Sequence, residues 1–271
     1  MNIMREERIE IKKETKNVGI LGLFPYAGVA PEKIEHGMEH LVKDGYNPVM
    51  LENLDDPDNF SLGNLRLNWV VTVGGLPLAQ YMEKKFHIPY IAAFPVGMRA
   101  MRLWRAHIAK LLGYEDNIEI PKKHAPNEES PKLLLLGDPV LTAGMKNYFE
   151  DMLGYTNIVR AHYTQLESVR AWNNRIIERS KVHGLCVDEH EEEIIGSVEV
   201  CDADELNALL TEADIIIGDP VIKNKFPLAN AKRWIDFADC DCSCGVNNLF
   251  NYELFGKKGA AWLNAQLAAS E

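Results

Sequence analysis

Short apolar runs alternate along this chain with stretches whose apolar residues recur every three or four positions. "NVGILGLF" is a buried-strand run, and "PEKIEHGMEHLVKDG" after it sets Ile34, Met38, Leu41 and Val42 on one face at helical spacing. Pro31 suits a first helical turn and Gly45 a stop. Strands follow at "NPVMLE" and "NWVVTVGG", then a helix at "PLAQYMEKKF", a strand at "PYIAAFP" and a long helix from Met98 to Leu112. The segment from Glu115 to Pro131 loses the apolar period and carries three prolines, which reads as a connection between domains. The strand–helix order then restarts at "KLLLLGDPV". The pattern predicts an α/β fold of two Rossmann-like domains whose parallel sheets face a central cleft. Their expected extents are 17–120 and 132–271, with an extension at 1–16, a linker at 121–131 and a C-terminal helix closing the second domain.

The second half repeats a phrase, "LLLLGDPV" and "DIIIGDPV". A strand leaving its sheet through Gly, then Asp as a helix cap, then Pro at the first helical position makes a sharp turn at the carboxyl edge, where open α/β proteins bind ligands. Asp138 and Asp219 are therefore either helix caps alone or caps that also face a ligand. Gly74 and Gly75 of "VVTVGG" and Gly97 of "FPVG" stand at equivalent turns in the first half. On the long helix, Met101, Trp104, Ile108, Leu111 and Leu112 form the core stripe, flanked by Arg99, Arg102 and Arg105 at three-residue steps. Arg99 and Arg102 near the helix start could meet an anionic group, or pair with surface carboxylates. These seven residues, Gly74, Gly75, Gly97, Arg99, Arg102, Asp138 and Asp219, are the candidate cofactor contacts.

Composition removes several classes of partner. At 271 residues and 46% hydrophobic content the chain can bury the core of two ordinary domains. A formal charge of −11 leaves no basic surface suited to nucleic acid or to acidic membranes. The start "MNIMREERIEIKKETKN" has no apolar signal core, and no run approaches the roughly 20 apolar residues of a membrane span, so a cytoplasmic protein is expected. "GILGLFPYAG" lacks the G-x-G-x-x-G spacing and "FGKKGA" lacks the elements of a phosphate-binding loop. His36 and His40, four apart, lie opposite the apolar face and are expected in solvent. "HGLCVDEHEEE" gathers His183, Cys186 and His190 with Asp188 and Glu189 between them, donors enough for a metal or simply an exposed acidic stretch.

The stretch "NWVVTVGGLPLAQYMEKKFHIPYIAAFPVGMRAMRLWRAHIAKLLG" resembles the middle domain of the nitrogenase component 1 superfamily. "LLLLGDPVLTAGMKNYFEDMLGY", "EADIIIGDP" and "LFGKKGAAWLNAQL" resemble that family's third domain and closing helix, so the likeness runs from about Asn17 to the end of the chain. It implies stacked Rossmann-like domains enclosing a metal cluster or a metal-tetrapyrrole, and an oxidoreductase subunit. It also implies work as a homodimer or a heterodimer with a homologous subunit, reduced by an ATP-dependent iron–sulfur partner. The family's first domain has no counterpart, so its electron-entry cluster is not expected. Where the family places a cofactor-binding cysteine and histidine, this chain has Val71 and Phe255, which cannot ligate iron or molybdenum; dinitrogen reduction is not expected.

Three of the five cysteines stand at alternate positions in "FADCDCSCGVNNLF". In an extended segment residues i and i+2 point the same way, so Cys240, Cys242 and Cys244 could converge on one iron–sulfur or other metal cluster. The other reading is a cluster of structural or redox-active thiols, whose pKa values Asp239 and Asp241 would raise in the absence of a cation. Cys186 and Cys201 carry no assigned role. A non-catalytic carrier or small-molecule binding protein of the same fold remains the alternative to the oxidoreductase subunit.

Overall fold

A computed structural model describes residues 15–23, 34–51, 64–114, 118–163, 198–237 and 254–269. The first half has strands β1 (Asn17–Leu21), β2 (Asn47–Met50), β3 (Leu65–Val70) and β4 (Tyr90–Ala92), with helices α1 (Glu35–Lys43), α2 (Leu76–Phe86) and α3 (Gly97–Leu111). Its sheet runs β2-β1-β3-β4, every pair parallel. The second half has β5 (Leu133–Leu136), α4 (Pro139–Leu153), β6 (Ile158–Tyr163), β7 (Val198–Cys201), α5 (Ala203–Glu212), β8 (Ile215–Gly218), α6 (Pro220–Lys225), β9 (Arg233–Asp236) and α7 (Gly256–Ala269). Its five strands run β7-β6-β5-β8-β9, again all parallel. The two Rossmann-like domains expected from the sequence are both present.

The apolar runs are explained by burial on both faces, as parallel sheets require. In β5, Leu133 and Leu135 point into a core that the two domains share, while Leu134 and Leu136 point into a second core under α5 and α6. Ile215 and Ile217 against Ile216 divide in the same way on β8. Pro48 sits in β2, an edge strand, where a missing N–H does least harm. On α1 the buried stripe is Ile34, Gly37 and Leu41 with Met38 packed beside it; Val42 is 58% exposed. Val42 was expected to be inside, but eight residues from Ile34 the helix has turned it past the core-facing arc.

The shared core holds a box of aromatic rings. Trp69 of β3 lies 4.9 Å from Trp104 of α3, and Phe255 lies 5.3 Å from each of them and 5.8 Å from Phe94. Such edge and tilted contacts add about 0.5–1.5 kcal/mol per pair beyond area burial. Phe255 precedes α7, so the closing helix returns to the first domain: Gly256 donates its N–H to Pro95 O at 2.8 Å. The connection after α3 runs along α4, with His124 N–H on Asp151 O at 2.7 Å and Asn127 N–H on Gly154 O at 2.7 Å.

Candidate functional site

The carboxyl edges of the two sheets meet, and the meeting point is Asp138. Its side chain is wholly buried and accepts N–H groups from both halves of the chain. Oδ1 takes Val140 N–H at 2.8 Å and Leu141 N–H at 3.3 Å, capping α4 as the Gly-Asp-Pro phrase predicts. Oδ2 takes Val73 N–H at 2.8 Å, at the start of the 3₁₀ turn Val73–Gly75 after β3. One carboxylate thus serves two helix starts, one in each domain, and the gap expected between the sheets is closed at this point. Asp219, also wholly buried, caps α6 through Val221 N–H at 2.7 Å.

The other candidate contacts are distributed around this seam. Gly75 is pressed against the backbone of β1, where an added Cβ would lie 2.8 Å from the Leu21 carbonyl carbon. Gly74 beside it is exposed. Gly97 has φ +83°, and an added Cβ would lie 2.8 Å from the Tyr148 ring, so this glycine lets α4 cover the start of α3. Tyr148 in turn donates its hydroxyl to Asn264 Oδ1 of α7 at 2.9 Å, and burial holds that hydroxyl above its usual pKa. Arg99, for which an anionic ligand and a carboxylate partner were both open, takes the carboxylate: it is 6% exposed and turned to α4, where Nε donates to Asp151 Oδ2 at 2.9 Å and a terminal nitrogen to Pro121 O. Lys123 reaches the other oxygen of Asp151 at 3.2 Å, so the three side chains tie α3, the connection and α4 together.

Val71 and Phe255, the positions at which the resemblance would put the family's cofactor ligands, are both wholly buried in the shared core. Neither presents a donor, and the aromatic box leaves Phe255 no room to be anything but packing. Cys240, Cys242 and Cys244 lie outside the described residues, as do His183, Cys186, Asp188, Glu189 and His190. Among the described residues no group of three His, Cys, Asp or Glu side chains is arranged to hold a metal ion. None of the described helices is long and apolar enough to cross a membrane.

A second polar region opens on the helix side of the first sheet. A cavity of about 370 Å³ is lined by His36, His40 and Lys43 of α1, by Met98, Met101, Arg102 and Arg105 of α3, and by Lys257 of α7. The lining contains no acid. His36 and His40 are half-buried here, edge to face at 4.7 Å, in place of the solvated positions expected. Their stripe faces α3, which the pattern of α1 alone does not reveal. Two carboxylates stand at the border. Asp44 takes Arg105 at 2.8 and 2.6 Å, and Glu39 lies 3.5 Å from Lys43 and 3.6 Å from His36. Arg102 donates to Glu119 O. The His40 imidazole is held below its usual pKa, first by burial and then by His36, Arg105 and Lys43, with Asp44 opposing.

Of the seven candidate contacts, Arg102 alone lines this cavity. The lining shares a helical spacing present in the sequence: His36, His40 and Lys43 fall at i, i+4, i+7, as do Met98, Arg102 and Arg105.

No family model matches the chain, and no curated protein matches it. Among solved structures, a glycosyltransferase from Rickettsia africae is similar at 10% identity and a TM-score of 0.28, over 94% of this chain and 89% of that one. An NADPH-dependent glyoxylate/hydroxypyruvate reductase from Sinorhizobium meliloti, solved with NADP and sulfate, is similar at 12% identity and a TM-score of 0.17, over 76% and 62%. Scores this low carry no argument about what the chain does.

Proposed function

We propose that the chain is a nitrogenase component 1-like oxidoreductase subunit that holds a metallocluster or a metal-tetrapyrrole between its domains and does not itself fix nitrogen. One observation carries the reading. Phe237, whose N–H donates to Gly218 O at 2.8 Å at the carboxyl edge of the second sheet, and Leu254 both lie in the core shared with the first domain. The sequence between these two residues bears Cys240, Cys242 and Cys244. Three thiolates supply the donor type that iron–sulfur clusters use. In this reading those cysteines are the ligands, a second copy or a homologous subunit completes the site, and an ATP-dependent iron–sulfur reductase delivers electrons in the cytoplasm. The burial of Val71 and Phe255 supports the exclusion of dinitrogen chemistry.

Protein purified without oxygen is then coloured and contains iron, and Cys242→Ser loses most of it while keeping its helical circular dichroism. Wild-type protein that takes up no metal after reconstitution with iron and sulfide overturns the proposal. The carrier reading is favoured by one feature of the seam: the Asp138 carboxylate, the most central acid there, is committed to three backbone N–H groups. A carrier binds the cofactor yet shows no substrate-dependent reoxidation when reduced, whereas an oxidoreductase subunit does.

A further inference from the structure

We infer that the cavity between α1, α3 and α7 is a binding site for a compact organic polyanion, a molecule bearing at least two phosphate or carboxylate groups next to a small apolar portion. The inference is independent of the cluster reading, since no cysteine and no metal enters it. Six of the eight lining residues are His, Lys or Arg, although the whole chain carries 40 acidic against 29 basic residues. A cation cluster on an acidic protein is costly unless something offsets it, because like charges on facing helices repel. The bordering acids offset only part: Asp44 engages Arg105, and Glu39 is shared by Lys43 and His36. Lys257 has no acidic partner among the described residues.

Size and lining narrow the ligand. A volume of about 370 Å³ is at the small end of ligand pockets, which run from about 300 to 1,000 Å³. The charges come from three separate helices and so surround the space from different sides, which suits several anionic groups better than one. The partly buried Met98 and buried Met101 give the floor an adaptable apolar surface. Arg102, one terminal nitrogen of which donates to Glu119 O, brings a guanidinium charge toward phosphate or carboxylate oxygens, and Lys43 and Lys257 at the rim act as point charges that draw the ligand in.

Isothermal titration with pyrophosphate and with citrate, at low salt, tests the inference and separates phosphate from carboxylate preference. At least one probe is expected to bind once per chain, more weakly as salt rises. The double charge reversal Lys43→Glu with Lys257→Glu alters two exposed side chains, so folding is retained, and it should weaken binding at least about tenfold. Lys84→Glu with Lys85→Glu on α2 makes the same change in net charge away from the cavity and should leave affinity within about twofold. The inference is overturned if neither probe binds at about 1 mM, or if the two double variants weaken binding equally.

Discussion

The seam at Asp138 and the cavity at His40 are both polar places in an apolar framework, and they are built in opposite ways. At the seam a single carboxylate meets backbone N–H groups, each at hydrogen-bonding distance, with no exposure. In the cavity six basic side chains from three helices converge, and acids stand only at the border. The first arrangement completes itself within the fold. The second gathers basic side chains of three helices around one space and keeps its acids at the border, where they engage Arg105, Lys43 and His36. A candidate residue is therefore better judged by whether its partners are already inside the protein than by its position at a sheet edge.

The largest effect should come from breaking the seam. Asp138→Ala leaves three buried N–H groups without an acceptor in both domains at once, and about 3–4 kcal/mol of stability should be lost. Urea unfolding checks this; a loss under about 1 kcal/mol would mean that the seam is less closed than the distances indicate. Gly144→Ala sharpens the same point from the packing side, because the added Cβ would lie 1.8 Å from Phe94 O, a backbone atom that cannot swing away. Separation of α4 from the end of β4 should cost about 2–3 kcal/mol in the same assay.

The smallest effect belongs to the cavity and depends on pH. His40 has its folded pKa lowered, so the unfolded chain binds the proton more readily. Its contribution to stability is full above the unfolded value of about 6.5 and is lost as pH falls through the folded value. His36, Arg105 and Lys43 face it as like charges and Asp44 as the opposing one. A bound polyanion reverses the balance by favouring the imidazolium, so binding should tighten on acidification and take up protons. Titrations in two buffers of different ionisation enthalpy measure that uptake, and His40→Gln should reduce it.

Much of the fold was legible because parallel strands buried on both faces write themselves as unbroken apolar runs, as "LLLL" and "IIIG" do. The two Gly-Asp-Pro turns were legible as helix caps for a local reason: cap, proline and strand end are contiguous. What Asp138 does across the seam was not legible, since its third N–H partner is 65 residues away. Arg99 illustrates the same limit, as its spacing puts it beside the core stripe but does not say that Asp151 waits there. The cavity is the clearest case. Its stripes on α1 and α3 are each readable at i, i+4, i+7, and only the packing of the helices onto the aromatic box turns two basic faces toward one space.

Thermal unfolding of three proteins with and without pyrophosphate tests the contrast most directly: wild type, Asp138→Asn and Lys43→Glu with Lys257→Glu. Asp138→Asn places an amide against N–H groups and should lower Tm by the equivalent of about 1–2 kcal/mol, while the ligand still raises it as in wild type. The lysine variant should melt within a few degrees of wild type and show a clearly smaller ligand-induced rise. A lysine variant that is stabilised by pyrophosphate as much as wild type, or an Asp138→Asn protein that keeps the wild-type Tm, would contradict the assignment of one region to the fold and the other to a ligand.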